Sequence, residues 1–285
     1  MRRNAQAGDA RRVCKLLFYG QCLQFGYEGV SAPLTYPQLT KAALETQFPD
    51  MRFKVALKPL YHPKGLKALL RRGLWLMRPD YLIITLPAAF AATAWRVNLI
   101  TMLAPEITYT AREFLQKIDA KLMRNRGLEN FVARNVTWRP SVVEPPLALD
   151  QYEALVEESI AYARRISRSR LVLIGPGRLN EYAKPEMERE SPQLWAAVNQ
   201  MIQRLGKRLN VPTINAHDAL YQHSGDVLLR NNHRFSHFGH EVVACEVAAA
   251  IADEVRVRRA QSHQSISERH EDGTGTNVDR ESLVR

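Results

Sequence analysis

Four short apolar runs constrain the fold of this chain more than any other feature. They lie at residues 13–19 (VCKLLFY), 80–86 (DYLIITL), 171–174 (LVLI) and 211–215 (VPTIN), and the first three end at Gly or Pro. Such runs are typical of buried strands. Helical patterns separate them, at residues 36–48, 65–77, 192–209 and 239–255, while residues 52–57 alternate like a further strand. Strands alternating with helices predict a parallel sheet covered on both faces. The fold class is therefore α/β, as a single three-layer α/β/α domain.

The pattern also sets the expected strand neighbours and domain limits. Residues 16–18, 82–84, 171–173 and 213–214 are expected to be neighbouring, buried parallel strands. The domain is expected to span residues 13–259, after a flexible N-terminus at 1–12, with an insertion at about 88–146. Residues 260–285 are polar and poor in apolar side chains, which predicts a disordered tail.

Charge and cysteine usage narrow the class of protein. The formal net charge is +11, but the basic residues are scattered and show no aromatic interleaving of the RNA-binding kind, so nucleic acid is not the expected partner. A small anionic ligand, or a basic surface for anionic partners, remains open. The basic N-terminus lacks a following apolar segment, and the three cysteines show neither metal spacing nor a disulfide framework. We therefore expect a cytoplasmic protein with no transmembrane segment, metal or cofactor.

Two blocks of the sequence resemble the SGNH (GDSL-type) hydrolase family. The first is LLFYGQCLQFGYEG followed by TYPQLTKAALETQFP, in which Gly20, Gln21, Cys22 and Gly26 occupy the positions of the family's Gly-Asp-Ser turn and later Gly. The last is DVLLRNNHRFSHFGHEVVACEVAAAI, which resembles the family's catalytic loop and closing helix at Gly239-His240. The resemblance implies a flavodoxin-like sheet and an esterase or acyl-transfer activity.

The catalytic positions depart from the family pattern. Cys22 replaces the Ser nucleophile, and residues 86–90 (LPAAF) replace the segment that carries the oxyanion Asn. Aligned on Gly239, the Asp and His of the last block become Asn231 and Arg234, and a shift of one residue gives Arg230 and His233 instead. Neither register restores an Asp-x-x-His pair.

The remaining residues still allow nucleophilic catalysis. Cys22 can act as the nucleophile with a His base, for which His233 and His237 are the candidates. The main-chain N–H groups of Cys22 and Gly65 are the expected oxyanion donors, with Gly65 matched to the family's second block. Cys14 and Cys245 are expected to be shielded.

Two functional hypotheses follow. The first is a hydrolase or acyltransferase that acts on an ester or thioester through Cys22. The alternative is a catalytically inactive SGNH-like domain that binds a ligand or a protein partner in the same cleft. The altered motifs favour the second on mechanism, whereas the fold resemblance favours a hydrolase-like label.

Overall fold

The computed structural model describes residues 12–27, 29–60, 66–92, 95–97, 142–144, 146–177, 191–223, 226–229 and 234–272. At residues 22, 95–97, 142–144 and 262–272 it describes the main chain alone. The strands in these ranges are β1 (Arg12–Gly20), β2 (Met51–Pro59), β3 (Tyr81–Thr85), β4 (Trp95–Val97), β5 (Val142–Glu144), β6 (Arg170–Ile174) and β7 (Thr213–Ile214). The helices are α1 (Tyr36–Gln47), α2 (Leu66–Met77), α3 (Ala89–Ala92), α4 (Leu149–Ile166), α5 (Pro192–Leu209), α6 (Ala216–Tyr221) and α7 (His237–Asp272).

The main sheet has five parallel strands within the described ranges, in the order β2-β1-β3-β6-β7. Numbered along the sheet alone, this is the order 2-1-3-4-5 of a doubly wound fold. The strand order reverses between β1 and β3, and ligands bind at such a switch point, outside the carboxyl ends of the strands. The sheet therefore places the candidate site where the loops after β1 and β3 begin.

Alternate residues of the central strands pack on opposite faces of the sheet, as the two-residue period of a strand requires. In β1, Leu16 and Phe18 join one core and Leu17 and Tyr19 join the other. The first core is completed by α1 and α7, and the second by α2, α4 and α5. Both faces are covered, which explains why the strands read as continuous apolar runs. The three layers predicted from the sequence are confirmed.

The element limits agree with the sequence pattern except in three places. Helix α4 was not expected, although its buried residues Tyr152, Val156, Ile160 and Ala163 follow helical spacing. The closing helix α7 runs from His237 to Asp272 rather than ending near residue 255. Strands β4 and β5 pair antiparallel at the two ends of the expected insertion, and residues 98–141 lie outside the described ranges. The limits of the insertion and of the C-terminal tail stay predictions.

Within the described ranges, no helix is both long enough and apolar enough to cross a bilayer.

Candidate active site

The loop after β1 begins with a tight turn at the switch point. Gly20 ends β1, and a one-turn 3-10 helix spans Cys22–Gln24. A Cβ added to Gly20 would lie 3.1 Å from Gln24 Oε1 and 3.3 Å from Thr85 Cβ, so the end of β1 approaches the end of β3 closely. Cys22 is therefore the first residue of the helical turn that leaves the sheet, where main-chain N–H groups have no partner within the turn. Its side chain lies outside the described atoms.

Gln24 connects this turn to the sheet through side-chain hydrogen bonds. It was not identified from the sequence. Its side chain is fully buried, and Nε2 donates to Lys58 O at 2.7 Å and to Gly20 O at 3.3 Å. The main-chain N–H of Leu60 also donates to Gly20 O, at 2.6 Å. Gln24 Oε1 is buried and has no hydrogen-bond partner within the described part of the chain. The only available signal was a polar residue between Leu23 and Phe25.

The loop after β3 offers no polar side chain over residues 86–92. Leu86, Ala88 and Phe90 are buried, and the main-chain N–H of Leu86 donates to Ile174 O at 2.8 Å. Thr85, at the end of β3, is hydrogen-bonded to Tyr36, with 2.8 Å between the hydroxyl oxygens. Burial raises the pKa of the Tyr36 phenol well above its usual value. Residues 86–92 therefore supply no side-chain donor for an oxyanion.

A short hairpin precedes α7. Leu228 pairs with Phe235, and the main-chain N–H of Leu229 donates to Arg234 O at 2.9 Å. Its tip, residues 230–233, lies outside the described ranges, and so does the candidate base His233. The Arg234 guanidinium lies over the Tyr27 ring, 5.2 Å from its centroid.

Ser236 caps the start of α7. Ser236 Oγ accepts the main-chain N–H of Gly239 at 3.1 Å and donates to Asp226 O. Glycine is required at position 239, since a Cβ there would lie 2.1 Å from Val227 O. The cap and the glycine together hold the hairpin against the start of the helix.

His240 is a buried structural histidine. Its Nδ1 accepts the main-chain N–H of Tyr36 at 3.1 Å, so Nε2 carries the proton and donates to Tyr27 Oη at 2.8 Å. The Tyr27 hydroxyl in turn donates to Phe235 O. Burial, and to a lesser degree the charge of His237, lowers the pKa of His240 to about 3. His240 is therefore neutral at physiological pH, and both its nitrogens are engaged.

The second candidate base, His237, is the first residue of α7. Its side chain is 46% exposed, and Nε2 lies 3.6 Å from Glu241 Oε1, one helical turn further on. A carboxylate at this distance can orient a neighbouring imidazole. Glu241 was not identified from the sequence, although its i,i+4 spacing from His237 within a helix was a sufficient signal.

The remaining predicted residues have mixed outcomes. Gly65 lies outside the described ranges. Cys14 is buried as expected, whereas Cys245 is exposed on α7, so the prediction that both are shielded is wrong for Cys245. His217 and His223 lie near α6, where they contact Asp218 and Phe238 respectively. Within the described ranges, His, Cys, Asp and Glu side chains nowhere gather in threes that could hold a metal ion.

Solved structures of similar fold include esterases and hydrolases. A lipase/acylhydrolase from Enterococcus faecalis matches with a TM-score of 0.56 and 15% identity, over 85% of this chain and 96% of that chain. LAE5, an α/β hydrolase enzyme from the metagenome of Lake Arreo in Spain, matches with a TM-score of 0.53 and 16% identity, over 85% of this chain and 96% of that chain. Axe2, an acetylxylan esterase from Geobacillus stearothermophilus, matches with a TM-score of 0.52 and 14% identity, over 84% of this chain and 94% of that chain.

No protein-family model and no curated protein matches the chain. The structural likeness concerns the fold, and it confirms the three-layer α/β/α arrangement with a parallel sheet that the sequence predicted.

Proposed function

We propose that this chain is an SGNH-like acyl hydrolase or acyltransferase that cleaves a small ester or thioester through Cys22. The observation that carries the proposal is the position of the Cys22 main chain. It opens the one-turn helix that follows β1, beside the switch point at which doubly wound sheets bind their ligands. The start of a helical turn can activate a thiol, because its first main-chain N–H groups have no partner within the turn.

The reaction proceeds in two half-steps. The Cys22 thiolate attacks the carbonyl carbon, the bond from that carbon to the leaving oxygen or sulfur breaks, and the imidazolium that took the thiol proton returns it to the leaving group. The acyl group then rests on Cys22 as a thioester. Water or an acceptor alcohol, deprotonated by the same imidazole, attacks this thioester and regenerates the thiol.

The base is His233 or His237. His240 is unsuited to the role, because Tyr36 and Tyr27 occupy its two nitrogens and its pKa is about 3. His237 is exposed and has the Glu241 carboxylate beside it. That pair supplies the negative charge that Asn231 and Arg234 do not, since in acyl transfer an acidic residue stabilises the imidazolium.

The oxyanion site rests on main-chain donors, the N–H groups of Cys22 and Gly65. The apolar loop after β3 provides no third, side-chain donor from residues 86–92. Loss of one oxyanion donor costs about 10²- to 10³-fold in rate. We therefore propose a slow enzyme with reactive substrates rather than an efficient general esterase.

The same apolar loop favours a second candidate function, a domain that binds a small ester-like or anionic ligand, or a protein partner, without turnover. In that case Cys22 is one side of a binding cleft. A cytoplasmic location suits either function, since a free thiol nucleophile persists in a reducing compartment.

A trapping experiment separates the two functions. The protein is mixed with p-nitrophenyl acetate, quenched in acid and digested, and acetylated peptides are identified by mass spectrometry. We expect acetyl-Cys22 to appear within the first turnover and to decay as substrate is exhausted. Cys245 is the matched control, because it is exposed and reports chemical acetylation without an active site. Acetylation of Cys22 no faster than that of Cys245 contradicts the enzymatic function and leaves the binding function.

A further inference from the structure

A groove with apolar walls and a cationic rim lies between α2 and α4, in the layer opposite α1 and α7. We call it the α2–α4 groove. It encloses about 790 Å³, and its lining side chains include Lys67, Arg71, Arg72 and Trp75 from α2, with Tyr162 and Ile166 from α4. The groove belongs to neither loop of the candidate active site, because it is formed by helix surfaces.

Large apolar side chains project from this surface into solvent. Trp75 is 74% exposed, Leu76 55% and Ile166 44%. The buried face of α2 is formed by Leu66, Leu69, Leu70, Gly73 and Leu74. Trp75 and Leu76 follow directly on the outer side of the helix, so the sheet cannot cover them. A tryptophan this exposed beside two further apolar side chains marks a contact surface.

The charge around these side chains is of one sign on α2. The helix sequence LKALLRRGLWLM contains Lys67, Arg71 and Arg72, and no acidic residue. On α4, Glu158 forms an ion pair with Lys67, and Arg165 lies 5.5 Å from the Tyr162 ring centroid. The surface therefore attracts anions while presenting an indole and two aliphatic side chains.

We propose that the α2–α4 groove docks the protein on the surface of an anionic lipid bilayer. Guanidinium groups of Arg71 and Arg72 contact lipid phosphates, and Trp75, Leu76 and Ile166 enter the boundary between headgroups and acyl chains. Interfacial helices combine cations with Trp and Leu in this way. The formal net charge of +11 adds long-range attraction to an anionic membrane.

The composition of α2 favours lipid over an acidic protein. A protein interface carries about one hydrogen bond per 100–200 Å². Helix α2 contributes side-chain donors alone, at Lys67, Arg71, Arg72 and Trp75, and no side-chain acceptor, since it contains no Ser, Thr, Asn, Gln, Asp or Glu. A bilayer requires only cations for its phosphates and apolar side chains for its interior.

Sedimentation with vesicles tests the proposal on the full chain. Vesicles of phosphatidylcholine alone are compared with vesicles that also contain phosphatidylglycerol. We expect binding to the anionic vesicles only, weakened by salt. Arg71→Glu should lower the partition coefficient about 25-fold, because the charge changes by two units and each unit is worth about fivefold. Arg256→Glu is the matched control, since it makes the same charge change on α7, at a side chain that is 58% exposed.

A second pair of variants tests the apolar contact. Trp75→Ala should lower the partition coefficient about fivefold or more, because the indole no longer enters the interface. Val257→Ala is the control, because Val257 is 54% exposed on α7. Circular dichroism verifies that all four variants are folded.

Four results overturn the proposal. They are no binding to anionic vesicles, equal losses for Arg71→Glu and Arg256→Glu, binding of monomeric lysophosphatidylglycerol without binding of vesicles, and preferential binding of soluble polyglutamate. Equal losses for the two charge variants would mean that only net charge matters. Binding of the monomeric lipid alone would indicate a site for a free amphiphile, and preferential binding of polyglutamate would indicate an acidic protein partner.

Discussion

Nδ1 of His240 accepts a hydrogen bond from the main-chain N–H of Tyr36 at 3.1 Å, across 204 positions of sequence. The two rings are also stacked, with centroids 5.9 Å apart. This contact joins the two sequence blocks that resemble the SGNH family, at Tyr36-Pro37 and Gly239-His240. The loop after β1 and the start of α7 are thus held together by one neutral imidazole.

The buried state of His240 predicts acid-sensitive stability. Its pKa is lowered to about 3 in the folded chain and is near 6.5 in the unfolded chain. Between these values the unfolded chain binds a proton that the folded chain does not. The contribution of His240 to the free energy of unfolding is therefore complete above pH 6.5. It is lost as the pH falls toward 3, by about 3–5 kcal/mol in total.

Denaturant unfolding of wild type and His240→Gln at several pH values measures this effect. The variant should be less stable than wild type near pH 7, by about 1–3 kcal/mol for the disrupted buried contacts. Its stability should then fall less steeply as the pH is lowered. His223→Gln, at an exposed position, controls for loss of a histidine. Parallel pH curves for wild type and His240→Gln would refute the assignment.

Gly239 predicts the opposite of the usual effect of alanine in a helix. Gly→Ala in a helix interior normally stabilises by about 1 kcal/mol. At position 239 the added Cβ lies 2.1 Å from Val227 O, so Gly239→Ala should lower the free energy of unfolding by about 1–3 kcal/mol. Ala249→Gly is the control, because it changes an exposed position of the same helix and so measures the effect of helix propensity alone. An unchanged or raised midpoint for Gly239→Ala would show that the hairpin does not press on the helix start.

The sheet was predictable from the sequence, whereas most of the site was not. Buried strands such as Leu82–Ile84 are recognisable because both faces need apolar side chains. Helix α4 was missed because its apolar residues alternate with many charged ones. The His240 network depends on a hydrogen bond between distant residues, and no local pattern encodes that distance. The roles of Cys22, His233 and Gly65 stay predictions.

The three thiols are predicted to differ in reactivity. Burial, and then the charge of Asp80, raises the pKa of Cys14 to about 12, so this thiol should not react in the folded protein. Cys245 is exposed and therefore accessible to the reagent. Cys22, if activated, should react with iodoacetamide faster than Cys245 at about pH 6, where an ordinary thiol is almost fully protonated. Peptide mapping after short exposures measures the three rates, and a slower rate at Cys22 than at Cys245 would count against a nucleophilic role.

Restoring the family spacing in the hairpin should increase turnover. Asn231→Asp together with Arg234→His places a carboxylate and an imidazole three residues apart, in register with Gly239. A positioned general base contributes about 10²- to 10⁴-fold, so we expect at least about a tenfold faster release of p-nitrophenol. Asn231→Asp alone is the control, because it adds the carboxylate without the imidazole. A folded double variant no faster than this control would place the base elsewhere, with His237 and Glu241 as the next pair to alter.

The most direct test of the central claim is the rate of p-nitrophenyl acetate hydrolysis by wild type, Cys22→Ala and Cys245→Ala. We predict slow but measurable turnover by wild type, the same rate for Cys245→Ala, and a fall of about 10³-fold or more for Cys22→Ala with unchanged melting temperature. Hydrolysis by Cys22→Ala at the wild-type rate would contradict the account.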